Sequence, residues 1–289
     1  MMRRRRISGW DMVLLAGALG LAAQSGAFAE TPTRTKGAAL PPAEDAAKAR
    51  LDASPRHGEL VNVDVAGKPM RLWVVYPERK DKAPVVVVIH EIFGLTDWIR
   101  SVADQLAADG FIAVAPDLLS GKGPNGGGTE AFPDRDAAVQ AVSGLPRDEV
   151  IARLDAVRAY ALKLPAANGK SASVGFCWGG GTSFAYAVAQ PALDAAVVYY
   201  GTAPQDLSTL AAIKAPVLGL YGGSDARVGS TVPPTEAKMR ELGKAYEPHT
   251  FDGAGHGFLR VQDGQDGANR RAADQAWPMT IAFLHAHTH

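Results

Sequence analysis

The run Pro84-Val85-Val86-Val87-Val88-Ile89-His90 limits what this chain can become more than any other stretch. A continuous β-branched run with no polar alternation is a strand covered on both faces, as central strands of parallel sheets are. Parallel strands need crossover connections, usually helices. Apolar spacing and end signals predict helices over 99–109, 146–164, 180–190, 234–242 and 270–285. Strands are predicted over 111–116, 172–176, 195–200, 216–221 and 246–251. Residues 60–65 and 70–76 alternate apolar with polar side chains around Gly67-Lys68, which predicts a hairpin at a sheet edge. The expected class is α/β: a mostly parallel central sheet with helices on both faces. In such sheets the reactive groups gather on loops at the carboxyl ends of the strands.

The first 29 residues stand outside that pattern. Arg3 to Arg6 precede an apolar run from Met12 to Ala23, and Ala27-Phe28-Ala29 is a small-x-small cleavage site. Together they predict a signal peptide cut after Ala29, by a Sec or twin-arginine route, and an exported, periplasmic or secreted protein. The apolar run is short for a bilayer, so no stable membrane contact is expected once the leader is gone. Residues 30–57, rich in Ala, Pro and Thr without a period, are predicted to be a linker, leaving 58–289 as one domain.

Composition narrows the chemistry. Thirty basic side chains balance thirty acidic ones, which offers no cationic face to nucleic acid. A lone cysteine, Cys177, excludes an internal disulfide and any metal centre built from several thiolates; no metal or cofactor is expected. Gly121 to Gly128 is glycine-rich, but no G-K-[ST] arrangement opens a helix there, so it is predicted to be a lid or variable surface loop and not a phosphate cradle. His285, His287 and His289 alternate at the C-terminus and are expected to be a frayed end.

Four reactive residues fall just after predicted strands: Glu91, Cys177, Asp225 and His256. Cys177 sits in Gly175-Phe176-Cys177-Trp178-Gly179-Gly180, the nucleophile-elbow pattern with sulfur in place of a serine oxygen. The glycines are needed because the strand-to-helix turn is sharp and a Cβ would strike neighbouring backbone. The helix that follows is expected to favour the thiolate over the thiol. Cysteine, aspartate and histidine follow one another in the chain order of a nucleophile, an orienting acid and a general base. His256 can accept and return a proton near neutrality, and Asp225 would hold its ring and stabilise its cation.

These segments, with His90-Glu91-Ile92-Phe93-Gly94, Ala115-Pro116-Asp117-Leu118 and Gly255-His256-Gly257-Phe258, resemble the dienelactone hydrolase family of the α/β-hydrolase fold, from about residue 58 to 285. The resemblance implies a carboxymethylenebutenolidase-like hydrolase that cleaves a small lactone or carboxylic ester through a thioester on Cys177. It implies that Glu91 holds the thiol at rest and is displaced by substrate, and that Arg260 contacts a substrate carboxylate. The backbone N–H groups of Ile92 and Trp178 are the expected oxyanion hole. A second arginine expected soon after the Pro116-Asp117-Leu118 segment is missing, with Lys122 nearby as a point charge. The alternatives are hydrolysis of other small esters, a non-catalytic ligand-binding module on the same fold, and a redox-sensitive thiol. Phe93, Trp98 and Tyr199 fit either a pocket wall or the core.

Overall fold

The computed structural model describes residues 39–289; the expected leader and its cleavage point lie outside them. From β3 onward most strands are joined through helices. Strand β1 (Gly58–Val65) turns through Ala66 and Gly67, both at positive φ, into β2 (Lys68–Val75). Paired positive φ angles match the right-handed twist of a hairpin, so the turn is one residue earlier than expected. Then come β3 (Ala83–Ile89), α2 (Asp97–Ala108), β4 (Ile112–Pro116), α3 (Arg135–Ser143), α4 (Arg147–Leu162), β5 (Ala167–Phe176), α5 (Trp178–Ala189), β6 (Ala195–Tyr199) and β7 (Val217–Gly222). The single turn α6 (Ala226–Gly229), α7 (Val232–Glu241), β8 (Tyr246–Phe251) and α8 (Ala268–Thr288) complete the order after α1 (Ala47–Asp52) at its start.

The eight strands form one sheet in the order β1-β2-β4-β3-β5-β6-β7-β8, antiparallel only at the β1–β2 and β2–β4 pairs. Every residue of β3 is buried, as its composition requires. Its Val86 and Val88 join one core with Trp98, Val102 and Leu106 of α2 and Trp277 and Leu284 of α8. Val85, Val87 and Ile89 join a second core with Leu154 and Val157 of α4 and Phe184 of α5. Helices therefore cover both faces, and each buried valine or leucine contributes roughly 1.5–3 kcal/mol. Trp98 and Tyr199 belong to the first core: the Trp98 ring meets Phe176 edge-on at 5.1 Å, and the Tyr199 hydroxyl is 2.7 Å from that of Thr280.

Two expectations about the ends of the chain need correction. Residues from Leu40 onward are not a free linker: the Pro41 carbonyl accepts from the Gln262 amide at 2.9 Å and that of Pro42 from the Trp98 indole at 3.1 Å. Helix α1 then packs beside α2, with Ala47 buried. The C-terminus is not frayed. Helix α8 runs through the histidines to Thr288, which is buried and whose carbonyl accepts from Asn168 at 3.1 Å. Among the described residues no helix is long and apolar enough to cross a membrane.

Candidate active site

Strand β5 ends at Phe176 and α5 begins at Trp178, so Cys177 alone makes the turn, with φ 56° and ψ −116°. That is left-handed backbone, strained for any residue with a side chain. The frame around it explains the glycines. A Cβ on Gly175 would lie 1.9 Å from the Gly179 carbonyl oxygen, and one on Gly179 would lie 2.3 Å from the carbonyl oxygens of both Ile89 and His90. A Cβ on Gly180 would lie 2.4 Å from the Tyr199 oxygen. The elbow is thus pressed against the ends of β3 and β6, and the Cys177 N–H donates to the Tyr199 carbonyl at 3.1 Å.

The thiol is half-buried, and its pKa is pushed up, first by burial and then by the negative charge of Glu91. The backbone N–H groups of Trp178 and Ile92 and the Arg227 guanidinium pull the other way without overcoming burial. The expected preference for thiolate is therefore reversed: desolvation outweighs the helix terminus.

Asp225 follows β7 and His256 follows β8, and Oδ2 of the first lies 2.5 Å from Nδ1 of the second. The aspartate is the buried member, 7% exposed against 32% for the histidine. Its other oxygen accepts from the Val228 N–H at 3.3 Å, which opens α6. Their loops are laced together: Gly223 and Ser224 donate to the carbonyls of Phe251 and Ala254, both at 2.8 Å. Buried Asn269 of α8 supports the histidine loop, accepting from the Gly255 N–H at 2.8 Å and donating to the Val261 carbonyl at 2.7 Å. The Tyr200 ring meets the His256 ring edge-on at 5.2 Å. Tyr200 has φ 39°, is fully buried, and its hydroxyl has no partner.

Glu91 follows β3 and is 2% exposed. Burial raises its pKa to about 7 even though the Arg260 charge opposes it. Nε of Arg260 lies 2.8 Å from a Glu91 oxygen, yet its N–H is not aligned as a hydrogen bond. Arg260 also pairs with Glu44. Held by two carboxylates and outside the cavity lining, Arg260 is not placed as the expected substrate contact. Lys122 is also occupied, paired with Glu149 at 2.8 Å.

A cavity of about 660 Å³ opens at the elbow. Cys177, Trp178, Ile92 and Tyr200 line it on the sheet side, and Leu145, Val150 and Ile151 give it an apolar wall. Arg147 and Arg227 also line it, with no acidic side chain among the described lining residues. Neither arginine was singled out in the sequence; Arg227 stands two residues beyond Asp225, and that proximity was the available signal. His90 supports the site from beneath, its ring stacked on Trp178 at 5.6 Å. The glycine-rich loop 121–128 contributes nothing to the lining, so it is not placed as a lid. It is folded back on itself, Gly121 and Gly123 both donating to the Gly127 carbonyl at 3.0 Å. Asp117 holds the loop's far end, accepting from the Thr129 N–H at 2.8 Å. The structure brings Cys177, Ile92 and Trp178 to one cavity, with Asp225 and His256 paired beside Tyr200. No hydrogen bond joins Cys177 to His256 among the described residues.

Comparison with known proteins identifies the family and the fold. The dienelactone hydrolase family model matches residues 70–288. The carboxymethylenebutenolidase of Pseudomonas putida is 33% identical over 191 residues, covering 63% of this chain and 78% of that protein. A Saccharolobus solfataricus protein provisionally named a carboxymethylenebutenolidase is 32% identical over 250 residues, 76% of this chain and 95% of its own. A crystal structure of a provisionally named dienelactone hydrolase from Klebsiella pneumoniae superposes with a TM-score of 0.71 at 27% identity, covering 80% of this chain and 98% of that one. The family match spans most of the sheet and the loops that carry the elbow and the acid–histidine pair: the chain is a hydrolase of the α/β-hydrolase fold and belongs to the dienelactone hydrolase family.

Proposed function

We propose that the protein hydrolyses a small ester or lactone through a thioester on Cys177. The observation that carries this reading is the elbow itself. Cys177 is held in left-handed backbone where the strand turns into the helix, and it lines the cavity together with Trp178 and Ile92. In the first step the sulfur bonds to the acyl carbon and the C–O bond breaks. The thiol proton passes by way of His256 to the departing oxygen, while the backbone N–H groups of Trp178 and Ile92 take the negative charge of the tetrahedral intermediate. In the second step water adds to the thioester, His256 takes its proton, and the thiolate leaves as the carboxylic acid forms. Asp225 keeps the ring oriented and favours its cation. Glu91, whose charge already acts on the thiol, is the resting partner that substrate displaces.

The cavity wall favours a substrate with a negative charge. Arg147 and Arg227 face it uncompensated by acidic lining, so a carboxylate-bearing ester is expected to bind with lower KM than its neutral analogue. The deciding experiment is a mass measurement after mixing with an activated ester: one acyl group on Cys177 that clears in wild type and persists in His256→Ala. Unlabelled protein, with full turnover retained in Cys177→Ala, overturns the scheme. We extend the proposal to location, an exported protein beginning at Glu30 after leader removal; N-terminal sequencing of the exported or cytoplasmic product decides it.

A further inference from the structure

Behind the loop that carries Ile92, four charged side chains stand in a row: Glu91, Arg260, Glu44 and Arg135. Arg135 lies 3.3 Å from a Glu44 oxygen, and its guanidinium carbon is 3.5 Å from the centre of the Phe93 ring. That of Arg260 is 5.3 Å from the same ring. Phe93, next to Ile92, is thus held by two cations. Glu44 comes from the segment ahead of α1, outside the stretch matched by the family model. It is fixed there by its own N–H, which donates to the Arg260 carbonyl at 3.0 Å, and by the hydrogen bonds to Pro41 and Pro42.

The orientation of Arg260 is the informative detail. A guanidinium facing one carboxylate ordinarily settles into a bidentate pair with two aligned N–H donors. Here Nη1 goes to Glu44, and the Nε–H left facing Glu91 is close but unaligned. Glu91 therefore has a counter-charge beside it, but only the single Nε–H faces it in place of the bidentate pair that would lock it. We propose that Glu44 is a positioning residue: by drawing Arg260 toward itself, it leaves the Glu91 carboxylate neutralised but unlocked, able to exchange partners beside Cys177. The proposal rests on the hydrolase reading above and adds a residue to it.

The groups that face Glu91 are Arg260 from the loop after β8, Glu44 from the N-terminal segment, Arg135 from α3, Cys177 from the elbow and Tyr200 from the end of β6. Removing the Glu44 charge frees Arg260 to pair fully with Glu91, which lowers the Glu91 pKa and immobilises its side chain. The test compares wild type, Glu44→Gln and Glu44→Asp in the pH dependence of Cys177 alkylation by iodoacetamide, with steady-state turnover of an activated ester alongside. Wild type is expected to inflect near the Glu91 value of about 7. Glu44→Gln should move that inflection acidward by about one unit and lower kcat about tenfold with KM nearly unchanged. Glu44→Asp should return both toward wild type. A merely structural Glu44 would lower the melting temperature and leave the inflection in place; that result, or a Glu44→Gln enzyme with unchanged inflection and kcat, overturns the proposal. Alkylation needs only the thiol, so a wild type without esterase activity would defeat the hydrolase reading while the inflection still decides this one.

Discussion

His256 Nδ1 and Asp225 Oδ2 stand 2.5 Å apart although thirty-one residues separate them, because β7 and β8 are neighbours in parallel and end level with one another. Asp225→Asn keeps the shape and removes the charge that favours the ring cation and selects its tautomer. The expected loss is roughly 10²–10⁴-fold in kcat. Alkylation of Cys177 at neutral pH should change little, since the thiol answers first to burial and Glu91. Comparing the two rates on one protein preparation checks this; parallel losses would count against the pairing as the source of the effect.

Cys177 carries backbone strain that glycine would not. Cys177→Gly removes the nucleophile and relieves a φ of 56°, so hydrolysis should vanish while unfolding free energy rises by about 1 kcal/mol. Urea unfolding of the variant beside Cys177→Ala, which keeps the Cβ and the strain, isolates the backbone contribution.

Glu91 makes stability depend on pH. Its carboxyl is raised in the folded state to about 7 from an ordinary 4.5. A raised acid favours the protonated fold, so its contribution is complete below the unfolded value and is lost as pH rises through the folded one. Wild type should lose about 3 kcal/mol relative to Glu91→Gln on going from pH near 4.5 to above 7. Taking the difference between the two proteins cancels other titrating groups, including buried His90, whose pKa is lowered by desolvation. Denaturation midpoints at the two ends of that window give the sign directly.

Tyr200 has a buried hydroxyl with no partner, next to both Cys177 and His256. An unsatisfied buried donor costs roughly 1–3 kcal/mol, so Tyr200→Phe should unfold at higher temperature. If the hydroxyl finds its partner in bound substrate, the same variant raises KM. A melting curve and a KM on one sample measure both.

Sequence pattern revealed the sheet and the elbow for identifiable reasons. Val85 to Ile89 could lie only in a strand covered twice, and Gly175, Gly179 and Gly180 mark places where backbones nearly touch. The segment ahead of α1 looked like a linker because its anchors are backbone carbonyls of Pro41 and Pro42 and one carboxylate, none of which leaves a periodic trace. Strand β5 begins earlier than its apolar run, since Ala167 pairs with Ala83 across an irregularity that Asn168, Gly169 and Lys170 concealed. Helix α3 buries only Ala138 and Val142, too few apolar positions to announce a period. Arg260 was legible as a cation near the site, but its partner Glu44 lies 216 residues away in sequence, and only the folded chain reveals which acid claims it.

The crowding around the elbow separates what redesign can alter from what it cannot. The half-buried side chain at 177 faces the cavity, so serine or selenocysteine exchanges the attacking atom without touching the frame. Gly179 has carbonyl oxygens 2.3 Å from where a methyl group would begin. Directed evolution of this scaffold toward new leaving groups should therefore accumulate substitutions at 177 and along the cavity wall, while glycines 175, 179 and 180 stay silent in every surviving clone.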